Sequence, residues 1–166
     1  MVCWDECVHR TAGEPAPHAR YGVPPPDEGS GLLEWAWAEE QLRSSHNYWI
    51  ATVRPDQRPH LVVVWGVWRD GRLCFSTGKL TRKARNLIVN PSCVIATERA
   101  DETVIIEGVA VVVDDNTELD RIAPVYKEKY GAGFPTDEPL FAVRPTAAFG
   151  FIENEFVGTA TRWTFH

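Results

Sequence analysis

The segment Leu61-Val-Val-Val-Trp-Gly-Val-Trp68 carries no polar side chain at any position, and no other feature narrows the fold so far. A strand sends successive side chains to opposite faces, so neither face of this one can rest in water. In a closed barrel one face fills the interior, and the other must meet a helix, a second subunit or a ligand. The neighbouring segments agree with a barrel. Tyr48 to Arg54 reads as a strand, Pro55-Asp-Gln-Arg58 as a turn, Pro59 to Arg69 as a longer strand, and Asp70-Gly71 as a hairpin turn into Leu73 to Thr77. Cys93 to Thr97, Val104 to Val113, Leu140 to Arg144, Ala147 to Ile152 and Thr161 to Phe165 continue the series. Helical spacing of Leu32, Trp35, Ala38 and Leu42 predicts an amphipathic helix over 32–45. Asp115-Asn-Thr-Glu118 has capping-box spacing and opens a second helix that should stop at Gly131. Short strands with turn signals and few helices predict a mostly β fold, a barrel with peripheral helices.

At 166 residues the chain is expected to form one domain. Residues 1–31 include Pro15, Pro17, Pro24, Pro25 and Pro26. This composition buries little apolar area and predicts a flexible arm ahead of a folded domain over 32–166. No apolar run is long enough to span a membrane, and Met1-Val-Cys-Trp-Asp-Glu6 lacks the basic and apolar parts of a secretory signal, so a cytoplasmic location is expected. Cys3, Cys7, Cys74 and Cys93 do not suggest a disulfide framework. Cys3, Cys7 and His9 have no second ligand cluster of matching spacing, so no metal is expected.

Chemistry concentrates between Phe75 and Pro91. This stretch reads as a strand end, a polar loop and a basic helix start. Hydroxyls of Ser76, Thr77 and Thr81, amides freed by Gly78, and the cations Lys79, Arg82 and Lys83 fall within one short arc. A helix N-terminus has unsatisfied N–H groups and partial positive charge, so the arc suits a phosphate. Helical spacing groups Lys79, Arg82 and Lys83 on one side, sends Arg85 away from it, and gives Ala84, Leu87 and Ile88 an apolar stripe. A solvated basic surface helix is the alternative. Net charge −6 and a pI near 5.4 make this a basic island on an acidic chain, which favours a small anion over nucleic acid.

Side-chain catalytic machinery is not evident. There is no Gly-x-Ser-x-Gly elbow, His-Glu-x-x-His helix or Walker loop. His60, flanked by strand, is the one candidate for a catalytic role, on the strength of its near-neutral titration. An enzyme of this kind would leave the reaction to a bound cofactor.

Over about Leu32 to Phe165 these motifs resemble the flavin-binding split-barrel family of pyridoxamine 5'-phosphate oxidase. The resemblance rests on Phe75-Ser-Thr-Gly78, Thr81-Arg-Lys-Ala-Arg-Asn-Leu87 and Asn90-Pro91, on Arg58-Pro-His-Leu-Val-Val-Val-Trp65, on Glu107-Gly108, and on Phe156-Val-Gly158 with Thr161-Arg-Trp-Thr-Phe165. It implies a six-stranded antiparallel split barrel and a homodimer with two cofactor sites at the interface. By the same resemblance Arg82 and Lys83 hold the cofactor phosphate with Ser76, Thr77 and Thr81, while Val62, Val63, Val64 and Trp65 contact the ring. Thr103 matches a further flavin contact, and Arg162 matches a substrate ligand of the oxidase. Trp65, Trp68 and Trp163 are candidates for the substrate wall.

The chain departs from the oxidase where that enzyme carries an Arg-x-x-Leu-Leu-Lys type segment. Here Leu61 to Gly66 offers no cation for pyridoxal phosphate. The Val-Trp-Gly-Val-Trp strand and the terminal Arg-Trp-Thr-Phe resemble instead the actinobacterial branch that uses the deazaflavin coenzyme F420. The expected function is therefore hydride transfer from F420 to an unsaturated small organic substrate. An FMN-dependent oxidoreductase of the same fold is the second expectation, and a non-catalytic flavin or haem carrier the third.

Overall fold

A computed structural model describes residues 8–9 and 32–165. Along the chain run β1 (Val8–His9), α1 (Trp35–Ser44), β2 (Asn47–Val53), β3 (Pro59–Trp65), β4 (Val67–Arg69), β5 (Arg72–Ser76), α2 (Arg82–Val89), β6 (Ser92–Thr97), β7 (Glu102–Val113), α3 (Asn116–Tyr130), β8 (Leu140–Ile152), α4 (Phe156–Thr159) and β9 (Thr161–Phe165). All pairings are antiparallel. From β3 the pairing passes through β2, β6, β7 and β8 to β5 and β4. Since only Gly66 separates β3 from β4, this path returns to its starting strand, and the ring is the expected six-stranded barrel once that pair counts as one strand. Outside it, β9 pairs with the far half of β8, and the backbone of β1 pairs with β9. Apart from Val8–His9, the expected arm and the Cys3, Cys7 positions lie outside the described residues.

Two strand expectations change. The run Pro59 to Arg69 breaks at Gly66, where a Cβ would meet the Cys74 carbonyl oxygen at 3.1 Å. Gly66 N–H donates to Tyr130 Oη at 2.8 Å, and Lys129 Nζ donates to Gly66 O at 2.9 Å, so the end of α3 satisfies the peptide that leaves the ladder. Conversely, the strands expected at Leu140 and Ala147 are one continuous β8. Pro145 cannot donate to a ladder, but it lies opposite a register shift at Glu107/Gly108 that absorbs it. Gly108 permits the approach, since a Cβ there would be 2.4 Å from Arg144 O.

Helix α1 starts at Trp35, later than its periodicity suggests, because Leu33 N–H donates to Thr161 Oγ1 at 2.9 Å instead of entering a helix. Its Ala38 and Leu42 close the barrel interior over Tyr48, Ile50, Phe75, Ile95, Ile106 and Phe141. A second cluster, including Val67, Cys74, Leu140 and Ala142, lies under Ile122 and Tyr126 of α3. The doubly apolar strand is thus covered on both faces at β4. At β3 it is not: Val64 is buried, whereas Leu61, Val63 and Trp65 are 61%, 41% and 47% exposed.

Candidate functional site

The basic arc is built by β5, the following loop and α2. Thr81 caps the helix by accepting from Ala84 N–H at 3.4 Å, and Thr77 Oγ1 lies 3.2 Å from Thr81 Oγ1. Thr81 N–H donates to Gly78 O at 2.9 Å, which closes the loop. Ser76 Oγ donates to Pro139 O at 3.4 Å, so this hydroxyl is turned toward the segment before β8. Glu138 in that segment accepts from Lys79 N–H at 2.6 Å. One amide expected to face a phosphate is therefore held by the protein's own carboxylate. Lys79 itself lies in the loop ahead of α2 and not on the helix.

Arg82 and Lys83 open α2, and burial pushes the Lys83 amine below its ordinary value. Ion pairs hold Arg43, Arg58, Arg69, Arg72 and Arg99, but no ion pair among the described residues involves Lys79, Arg82, Lys83 or Arg85. A cleft of about 400 Å³ is lined by Pro55, Lys79, Arg82, Arg85, Asn86, Ile88 and Val89. Arg85 thus joins Lys79 and Arg82 at one cleft instead of facing away from them. The expected apolar stripe is corrected as well. Ala84 and Leu87 are buried, while Ile88 is 68% exposed and Asn86 takes an inward place.

Asn86 is a residue that sequence reasoning passed over. Only 1% exposed, it donates from Nδ2 to Thr52 Oγ1 at 2.9 Å, and its Oδ1 is buried without a partner. A buried acceptor left open invites a donor from water or ligand. Thr52 Oγ1 lies 3.5 Å from His60 Nδ1. Partial burial, then the charges of Arg54, Lys83 and Arg82, hold His60 below the usual imidazole range. The arrangement of cations, hydroxyls and one open acceptor suits a phosphate monoester with hydroxyl groups beside it.

The family model described as pyridoxamine 5'-phosphate oxidase matches residues 36–156. The chain belongs to the pyridoxamine 5'-phosphate oxidase family. No curated protein matches it significantly. Among solved structures, it is similar to the conserved hypothetical protein Rv2991 from Mycobacterium tuberculosis, with 22% identity over 74% of this chain and 87% of that one and a TM-score of 0.66. An F420 reductase is 25% identical over 66% of this chain and 94% of its own, with a TM-score of 0.56. HutZ, a haem-storage protein from Vibrio cholerae, is 23% identical over 65% and 87%, also with a TM-score of 0.56.

Within this member of the pyridoxamine 5'-phosphate oxidase family, the remaining candidates separate. Val62, Val63, Val64 and Trp65 share β3, which begins beside His60, but their side chains alternate between the inner and the exposed face. Trp65 stacks on Tyr130 with centroids 4.6 Å apart. Trp68 and Trp163 are 5% and 2% exposed, and both pack against Trp35 of α1. They belong to the core and do not wall an open pocket. Thr103 is buried, with Oγ1 3.4 Å from Thr97 Oγ1, and is spent inside the barrel. Arg162 lies on β9 with its guanidinium 5.7 Å from the Phe149 ring, and it is not among the residues that line the basic cleft. In one chain it does not meet the basic cleft. The thiols of Cys74 and Cys93 are buried and pushed up to about 12, which leaves them protonated and unreactive at neutral pH. Among the described residues no helix is long and apolar enough to cross a membrane.

Proposed function

We propose that this protein is an oxidoreductase that binds the deazaflavin coenzyme F420 and reduces an unsaturated small organic substrate. The observation that carries this reading is that, among the described residues, no ion pair holds Lys79, Arg82, Lys83 or Arg85. A phosphate there completes the charge balance. Arg82 and Lys83 hold its oxygens, Thr77 and Thr81 offer hydroxyls, and β3 supplies an extended backbone along which a planar ring can lie. When bound, the deazaflavin supplies two-electron hydride chemistry. The chain's own part is to fix position and exclude water, because no described side chain stands as an obvious acid or nucleophile beside β3. Similarity to an F420 reductase supports the deazaflavin. Lys79 and Arg85 in the lining of the same cleft support a ligand whose negative charge continues beyond the phosphate.

The working unit in this reading is a homodimer. On the exposed face of β3, Trp65 and Leu61 flank Val63, which pairs in register with Trp49 of β2; Ala51 of β2 pairs with Val94 of β6. Trp49 and Val94 are 43% and 38% exposed. Such a contiguous apolar sheet face is uncommon on a monomer, and a second copy would cover it against its own equivalent. FMN is the second cofactor, since its phosphate would meet the same cations. Storage of haem or flavin, supported by the likeness to a haem-storage protein, is the non-catalytic rival.

Parallel titrations with F420, FMN and haem, followed by acceptor reduction with the bound cofactor, test the reading. Preferential F420 binding with turnover is expected. Tight haem binding without F420 or FMN affinity would overturn it.

A further inference from the structure

His60 has an orientation that its place in a strand does not require. Thr52 Oγ1 accepts from Asn86 Nδ2 at 2.9 Å and lies 3.5 Å from His60 Nδ1, so Nδ1 is the ring nitrogen turned toward β2. Nε2 is left to face away from β2, in the field of Arg54, Lys83 and Arg82. Two of these cations are the ones assigned to the phosphate. The third, Arg54, has a buried Nε without a partner. The only carboxylate in the β2–β3 turn, Asp56, is bound to Arg58 at 2.6 Å, and the charges of Arg54 and Arg82 act on it more weakly.

We propose that His60 is a ligand of the cofactor phosphate, held in register by Thr52 and Asn86, and that it takes up a proton when that anion binds. The inference rests on the phosphate assignment above and adds a residue and a proton to it. With the site free, partial burial and then the surrounding cations oppose a positive charge on the ring. A phosphate monoester dianion cancels the cations' part of that opposition and adds an acceptor for Nε2–H. The incoming proton comes from solvent, and in the imidazolium both ring nitrogens donate, Nε2–H to the phosphate and Nδ1–H to Thr52 Oγ1, which accepts through its second lone pair while still accepting from Asn86. His60 is thus a binding group that reports ligand occupancy, in place of the catalytic role its near-neutral titration first suggested.

Calorimetric titration of FMN, and of F420 in parallel, in buffers of different ionisation heat at pH 6.5 measures the proton taken up per ligand bound. Wild type should take up a substantial fraction of a proton more than His60→Gln, which keeps a donor but cannot titrate. The affinity ratio of wild type to His60→Gln should grow several-fold from pH 8 to pH 6, a comparison that removes the ligand's own protonation. NMR titration of the His60 ring in wild type, with and without FMN, gives the same answer without any variant, as an upward movement of its pKa. Equal proton uptake in both proteins and an unmoved ring would overturn the His60 inference alone. Ligand binding indifferent to Arg82→Ala/Lys83→Ala, or no binding of either cofactor, would overturn the phosphate reading beneath it.

Discussion

Two clefts in this molecule are rich in arginine, and they differ in how the protein answers that charge. The smaller, about 150 Å³, is lined by Arg69, Arg72 and Arg121 together with Asp70, Asp115 and Glu118. Arg72 meets Glu118 at 2.6 Å, which ties the β4–β5 hairpin to α3, and Arg69 meets Asp70 at 3.3 Å within the hairpin, so two of the three arginines have carboxylate partners from within. The larger, beside α2, gathers Lys79, Arg82 and Arg85 with no acidic side chain in its lining. Similar residues therefore serve opposite ends. Charges matched inside the fold fasten it, and in the proposed reading those left unmatched at a helix start bind an anion.

The largest expected effect separates the clefts by ligand. Arg82→Ala/Lys83→Ala should weaken cofactor binding by roughly two to four orders of magnitude, since each charge-assisted contact is worth about 1.5–3 kcal/mol. Arg121→Ala at the other cleft should leave affinity unchanged, as equilibrium titrations of both variants would show. Equal losses would erase the distinction. The converse comparison is stability. Arg72→Met leaves Glu118 partly buried without its partner and should cost about 1–2 kcal/mol in urea unfolding, whereas Arg82→Ala should cost almost nothing.

A smaller effect sharpens the ligand's identity. Lys79→Glu should reduce F420 affinity several-fold more than FMN affinity, because only the deazaflavin carries negative charge past the phosphate, and added salt should shrink the difference. Losses of equal size would mean that Lys79 senses only the shared phosphate. The smallest concerns Lys129, whose amine burial pushes down to about 8. Between about pH 8 and 10 the unfolded chain then holds more protons at this residue, so stability should rise with pH across that window. Lys129→Met should flatten the slope in pH-dependent urea unfolding.

Much of this was legible in the sequence, and the losses have definite causes. The alternating and continuous apolar runs marked the strands, and the hydroxyl, glycine and cation order from Ser76 to Lys83 marked the loop and helix start between β5 and α2. Gly66 escaped notice as a break because its neighbours on both sides are strand formers; only the approach of Cys74 and the α3 terminus shows why the ladder stops there. Pro145 misled in the other direction, since its compensating bulge lies at Glu107/Gly108, a partner fixed by folding. Trp68 and Trp163 were read as possible pocket walls because aromatic chemistry does not reveal burial, and α1 covers both. Asn86 stood inside the motif that carries the family resemblance, yet its inward role was hidden: an asparagine in a basic helix looks like surface until the helix turns it against Thr52.

The central claim is that the unmatched cations at α2 exist to hold a phosphate. It is tested most directly by titrating each cofactor against its phosphate-free form, FMN with riboflavin and F420 with the corresponding dephosphorylated deazaflavin, on wild type and Arg82→Ala/Lys83→Ala. The account predicts that the phosphorylated form of the preferred cofactor binds wild type at least about a hundredfold more tightly, and that this advantage collapses in the variant. Equal affinity of wild type for the phosphorylated and phosphate-free forms would contradict it.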